Sequence, residues 1–376
     1  MSVSDVIEKM KAIQSKLLHF LDSDNDIKID SLDFYNYLNE TKISDNQHDL
    51  TPFLQLLVAI ANNHRGGASF FDKIKQILSF FKKEIQQFYS NSEIINIFQS
   101  NKRILLFLIK ENIITADFYF RKTIISDEYV KAKYPQYFAP ELRPFIHEFT
   151  FQKDQDDSWI SQIKQNYPYD FENLRQNGNN EETICQMIRN DSVEEFIKYV
   201  NKINYNLNST ISPSIYETNS FLIENQHDIN LIKYATFFGS IQIVRYLIQN
   251  NVRFNSDLWL YAIHSNNPEL IHYFEENKIE FGDTLYRIYI DESIKCHNND
   301  IKNYFTNKYL FGSDYRPKNT FFNAIKYYNF EFMNTEFIKQ DKFFMFTIHD
   351  YYFIVNALLQ ESDCDINKEK IFTILV

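Results

Sequence analysis

The sequence predicts an all-α fold built from repeated helix pairs, and three observations carry that expectation. The chain of 376 residues holds 36 Phe and 25 Tyr but only 6 Gly and 8 Pro, which leaves little material for tight hairpins or glycine-rich phosphate loops. Apolar residues recur at helical spacing over most of the length. One helix–break–helix pattern then returns several times, the mark of a helical-repeat solenoid.

In chain order, residues 1–150 read as an N-terminal helical region of divergent helix pairs. Its clearest pair sets Ile94, Ile95, Ile97 and Phe98 against Ile104, Leu105, Leu108 and Ile109, across the polar break Gln99-Ser100-Asn101. Residues 151–182 are polar and read as a connecting region. Residues 183–376 read as the repeats: Ile184, Met187 and Ile188 precede a break at Asn190-Asp191, and Val193, Phe196, Ile197 and Val200 follow it. Residues 206–228, with Pro213, make a long excursion inside that repeat.

The register of the later copies is explicit. Residues 235–247 superpose on 262–274 with a shift of 27, and copies opening at Ser293 and Ala324 follow at shifts of 31. A fifth copy, Asp350 to Leu359, fits only loosely. Between copies lie Gln249-Asn250-Asn251, Glu276-Asn277-Lys278 and Thr306-Asn307-Lys308, where Asn is expected to close helices in the left-handed conformation. Val244, Leu247, Ile271 and Phe274 are expected in the core between layers.

The pattern of Ala235, Gly239, Ile243, Val244 and Leu247 is that of an ankyrin repeat. The stretches SNKRILLFLI, YPQYFAPE, ICQMIRNDSVEEFI, PSIYETNSFLI and FGSIQIVRYLI resemble those of a large group of trichomonad ankyrin-repeat proteins, with an N-terminal ankyrin-like domain of unknown function. The resemblance covers nearly the whole chain. It implies a cytoplasmic ankyrin-type solenoid that binds proteins. Two departures stand out: Asn230-Leu231-Ile232-Lys233 occupies the place of the Thr-Pro-Leu-His signature, and the periods of 27 and 31 are shorter than the family's roughly 33. Shortened, irregular repeats with few or no β-hairpin fingers are therefore expected, with a HEAT-like or irregular stack as the alternative.

Charge and motifs narrow the function. With 39 Lys+Arg against 50 Asp+Glu the net charge is −11, which opposes general nucleic-acid binding. No apolar run reaches the roughly 20 residues of a membrane span, so no membrane insertion is expected. Cys185, Cys296 and Cys364 form no C-x-x-C. Phosphate-loop, nucleophile-elbow and zincin motifs are missing, and Glu194-Glu195 and Glu275-Glu276 read as solvated helix faces. A zinc site from Cys296, His297, His264 and His272 is disfavoured by geometry, because adjacent helical residues point apart. No metal, cofactor or catalytic residue is assigned.

Asp22 to Asp33 places carboxylates at positions 1, 3, 5, 9 and 12 of an EF-hand loop, but Ile27 stands where a Gly is needed and Asp33 is shorter than the usual Glu. It reads as an acidic inter-helix loop. Stacked repeats align equivalent residues into ridges, and the ridge Phe237, His264, Lys295 and Lys326, flanked by Phe238, Ser265, Cys296 and Tyr327, is the expected partner-binding stripe. The function expected is a non-enzymatic protein–protein interaction scaffold. The alternatives are a calcium-responsive helical module using loop 22–33, or an enzyme of unrecognised type. The apolar end, residues 371–376, is expected to cap the array or to favour self-association.

Overall fold

A computed structural model describes residues 2–23, 27–125, 134–149, 163–164, 167–281, 286–309, 317–338 and 343–361. The side chains of 27–31, 148–149, 317, 343–344 and 361 lie outside that description, as do the apolar end at 371–376 and Cys364. The chain is all-α. Among the described residues, bridging is confined to one antiparallel pair, Thr210 with Asn230.

Two compact units cut across the boundaries at 150 and 182 drawn from the sequence. One comprises residues 1–60, 66–74 and 286–376; the other comprises 61–65 and 75–285.

In the second unit the helix pairs form where the periodicity placed them. Asn91–Phe98 and Lys102–Lys110 flank the break at 99–101. A capping box between Ser90 and Glu93 starts the first, and Asn101 Oδ1 accepts the Ile104 N–H at 3.0 Å to start the second. Three further pairs follow: Thr183–Arg189 with Val193–Lys202, Leu231–Phe237 with Ile241–Gln249, and Leu258–Ser265 with Pro268–Glu276. First helices pack on first helices: Leu231–Phe237 lies against both Thr183–Arg189 and Leu258–Ser265. Second helices do likewise, Val193–Lys202 against Ile241–Gln249. Val244, Leu247, Ile271 and Phe274 are all buried, as the register requires.

One turn recurs from copy to copy. Apart from Asn91–Phe98, whose end at Gln99 stays right-handed, the first helices end through a residue in the left-handed region: Asp191, Gly239 and Asn266 in this unit, His297, Tyr328 and Asp350 in the other. The residue after the turn usually donates its N–H back five positions, as in Ser192 to Met187 O (3.0 Å), Ser240 to Ala235 O (2.9 Å) and Asn329 to Ala324 O (2.9 Å). This six-to-one bond satisfies a carbonyl that the helix end leaves open. Second helices close the same way, with Tyr205 to Val200 O, Val252 to Leu247 O and Ile279 to Phe274 O. Asn251 does adopt the left-handed conformation, but after the next helix it is Lys278 and not Asn277. Residues 306–308 lie inside the helix Asn299–Tyr309, which runs past the expected break.

Side chains of the turns join layer to layer. Ser240 Oγ donates to Ile188 O at 2.5 Å, Asn267 Nδ2 to Gly239 O at 3.2 Å, and Asn329 Nδ2 to Ile294 O at 3.0 Å. Asp191 accepts the N–H groups of Gln242 and Ile243, at 3.1 and 3.0 Å, so one layer's turn caps the next layer's second helix.

The stretch read as a connecting region ends in a packed helix, Phe171–Asn177, closed by Gly178 at φ 68°. Its Arg175 is buried and bonds both Glu141 oxygens at 3.0 and 2.8 Å, Glu172, and the Tyr137 carbonyl at 3.1 Å. Through its Nη1 and Nη2 donors the guanidinium makes a polar segment cohere as part of a core.

In the first unit, Arg287–Lys295 pairs with Asn299–Tyr309. Pro317–Lys326, opening the fourth copy's turn at Ala324, is followed by two 3-10 turns, Phe330–Phe332 and Thr335–Phe337, in place of a second α-helix. Asn334 interrupts there, accepting the Glu336 N–H at 2.8 Å. The fifth copy is displaced: Asp350 is its turn, and Tyr351 donates to Phe346 O at 2.7 Å, so Phe346 takes the place of Ala324. The 20-residue helix Val3–Asp22 joins this unit through buried Gln14, which donates to Asn329 Oδ1 at 2.8 Å and accepts the Phe330 N–H at 2.6 Å. Among the described residues no helix is long and apolar enough to cross a membrane.

Candidate interaction surfaces

The four residues of the expected binding stripe meet different fates. Phe237 and His264, in the second unit, sit at equivalent places in adjacent layers but are 1% and 0% exposed. The excursion covers them. Its short helix Ser220–Glu224 lays Phe221 over His264 at 4.2 Å between centroids and over Phe237 at 6.1 Å with the rings nearly parallel, and Tyr261 meets Phe221 edge-on at 4.8 Å. Arg65 closes the same border, donating to Ser265 O at 2.7 Å and lying 5.7 Å from the Phe238 ring. In this conformation these two positions offer a partner no surface, because the chain's own aromatic side chain occupies it.

Lys295 and Lys326, in the first unit, are brought together around one ring. Their Nζ atoms lie 6.0 and 5.1 Å from the centroid of Tyr327. Lys295 is 7% exposed and 3.6 Å from Glu292 Oε1, whereas Lys326 is exposed. Burial and the charge of Lys326 both hold the His349 imidazole below its usual pKa. Beside them Tyr328 stacks on Tyr351 at 4.6 Å and its hydroxyl donates to His349 O. The result is a small cationic and aromatic spot on an acidic chain, suited to an anionic side chain.

The excursion carries a group that sequence reasoning missed. Glu217 is buried; its Oε1 accepts the N–H groups of Thr218 at 3.0 Å and Asn219 at 3.3 Å, and among the described residues its Oε2 has no hydrogen-bond partner. Burial pushes its pKa up, only partly offset by those amides and by the charges of Lys102 and Arg189. With Asn180, Ser214, Leu222 and Tyr234 it lines a cavity of about 20 Å³, room for one water. The sequence held one signal of this segment: Met187 to Ala235 spans 48 residues where other layers span 27 or 31.

The acidic loop lies partly outside the described residues, which omit 24–26 and the side chains of 27–31. At its described entrance the buried Lys73 ammonium donates to Phe20 O at 2.7 Å, to Ser23 O, and to Ser23 Oγ at 3.1 Å. A protein cation therefore already meets the oxygens there. Among the described residues, no group of three or more His, Cys, Asp or Glu side chains is placed to hold a metal ion. Cys185 and Cys296 are buried thiols whose pKa burial pushes up, the opposite of a reactive thiolate. A cavity of about 330 Å³ in the first unit is lined by polar groups of mixed charge, among them Glu8, Lys11, Thr320 and Glu331.

Compared with family models, with curated proteins and with solved structures, the chain finds no match.

Proposed function

We propose that this protein is a non-enzymatic, cytoplasmic protein–protein interaction scaffold whose helix pairs form an ankyrin-type solenoid. The observation that carries this reading is the repetition of one turn along the chain. The left-handed residue recurs at Gly239, Asn266, His297 and Tyr328, at the same shifts of 27, 31 and 31 as the sequence copies. Repeats of this kind bury a continuous core and display equivalent positions as an extended surface, which is how such arrays recognise proteins. The spot formed by Lys326, Tyr327 and Lys295 supports a partner contact through an acidic segment.

The test is affinity capture with cross-linking from the source cells, using the full chain and its Lys326→Glu variant. A protein cross-linked near Lys326 and lost from the variant is the expected result. Capture that is unchanged by the substitution, with no cross-link in this unit, overturns the assignment of the contact. A chain that captures no protein overturns the scaffold reading.

A further inference from the structure

We propose that residues 206–228 are a displaceable resident of the Phe237–His264 ridge, and that the ridge's other occupant is a short partner helix presenting an aromatic side chain in the place of Phe221. The inference rests on the scaffold reading above and adds to it where a partner would seat and what keeps it out.

The excursion is additional to the layer that holds it. Its neighbours close onto each other directly: Leu231–Phe237 packs on Thr183–Arg189, Val193–Lys202 packs on Ile241–Gln249, and Ser240 Oγ bonds Ile188 O. None of these contacts passes through 206–228, so the stack can stand with the segment lifted.

What the segment covers is a recognition surface in its chemistry. Phe237 and His264 present π-faces to Phe221 and Tyr261 meets it edge-on, all within 6.1 Å. Lys233, ion-paired with Asp228 of the segment itself, lies over the Tyr261 ring, 5.6 Å from its centroid. An aromatic pocket with a polar rim is the arrangement that anchors a helix through one or two large side chains. Phe221 and Leu222, 3% and 1% exposed, are those anchors in the resident segment.

Besides Phe221 and Leu222 the segment buries Ile211 and Tyr216, the latter edge-to-face with Phe171 at 5.9 Å, and its remaining attachments are polar. Ser214 Oγ donates to Glu181 at 2.5 Å, Thr218 Oγ1 to Gly178 O at 2.9 Å, Asn180 Nδ2 to Ser212 O at 2.9 Å, and Ile211 N to Ile229 O at 2.7 Å. Against these stands Glu217, a buried carboxyl with one oxygen unpartnered, facing Lys102, Arg189, Cys185 and Tyr234 from the helices around it. Keeping that group inside opposes the burial of Phe221, so closure is a balance and not a fixed part of the core.

The experiment uses the full chain and a fluorescent peptide of residues 212–226 as probe. A binder whose site is open only part of the time loses apparent affinity by that fraction. Phe221→Ala, which weakens the resident segment, is therefore expected to bind the peptide about tenfold or more tightly than wild type. A peptide with Ala at the Phe221 position should not compete. Equal binding, or none, by a Phe221→Ala chain of unchanged helicity overturns the proposal. Hydrogen exchange on the wild type decides the matter if that variant does not fold. Amides of 206–228 should exchange by local opening, faster than those of Leu231–Phe237 and Leu258–Ser265; exchange only with global unfolding overturns it. Both readouts concern the cover alone, so they can fail while the capture of a protein at Lys326 stands.

Discussion

The rings of Phe221 and His264 lie face to face, 4.2 Å between centroids and 29° between planes. His264 belongs to the end of a repeat's first helix, and Phe221 to a segment inserted two helices earlier. The contact turns what repeat logic places on an open border into an interior. Phe237 and His264 are thus filled by the chain itself, whereas Lys326, in the other unit, is exposed.

Leu247 tests the layer register. Its side chain is fully buried at the end of Ile241–Gln249. Leu247→Ala should cost about 2–5 kcal/mol, the range for a large buried side chain whose cavity does not collapse. Urea denaturation followed by circular dichroism measures it, and a wild-type midpoint would place Leu247 outside the core.

Lys278 tests the turn. It is exposed at φ 52°, a conformation that clashes with Cβ and that glycine adopts freely. Lys278→Gly should raise stability by about 1 kcal/mol. A lower melting temperature would mean that the Lys278 side chain makes contacts outweighing the relief.

Arg175 tests the end of the stretch read as a linker. It pairs with Glu141 at 2.8 Å, with Glu172, and through its own carbonyl with the Tyr137 hydroxyl at 2.8 Å. Arg175→Met leaves Glu141 without its partner and should cost about 3–5 kcal/mol. Burial works to raise the Glu172 pKa, but Lys110 and Arg175 outweigh it and hold it below the usual value. The stability this gives is present above the unfolded carboxylate pKa and is lost as pH falls. The variant should therefore lose part of the wild type's acid sensitivity, and an unchanged pH profile would remove Glu172 from the network.

Lys73 tests the calcium alternative. Its ammonium already takes Phe20 O and the carbonyl and hydroxyl of Ser23 at the loop entrance. Wild-type melting should not respond to calcium at about 1 mM, a concentration at which even weak EF-hand sensors fill. A rise in melting temperature on adding calcium would restore the loop as a cation site.

Local chemistry was the legible part of this fold. Ile94 to Ile109 show a 3.6-residue period broken by a capping residue, and Asn101 caps as that pattern requires. The turn after Ala235 was marked by Gly239, while His297 and Tyr328 take the same conformation without a residue type that announces it. The joins made by distant parts were not legible. Gln14 reaches Asn329 across 315 residues, and Phe221 reaches His264 from inside an insertion; neither has a periodic signature. The stripe at Phe237, His264, Lys295 and Lys326 sets each residue two positions before a left-handed turn residue, at Gly239, Asn266, His297 and Tyr328. It was incomplete as a surface, because exposure depends on what else the chain lays over those positions.

Glu217 gives the covering segment its own pH dependence. The carboxyl is buried with Oε2 unpartnered, and burial raises its pKa above the ordinary 4.5 in spite of two amide donors and the charges of Lys102 and Arg189. A carboxyl whose folded pKa is raised binds its proton more tightly in the closed state than in the open one. The stability it gives is complete below the ordinary carboxylate pKa, and is lost as pH rises through the raised value. The segment should then be held most firmly in mild acid and loosened toward neutral pH, the reverse of the trend that Glu172 imposes. Glu217→Gln keeps an oxygen to accept the Thr218 and Asn219 amides and removes the ionisation. Hydrogen exchange of residues 206–228 across this pH range, corrected for intrinsic rates, should show opening that grows with pH in the wild type and stays level in Glu217→Gln. The same rise in both chains would mean that another group sets the opening.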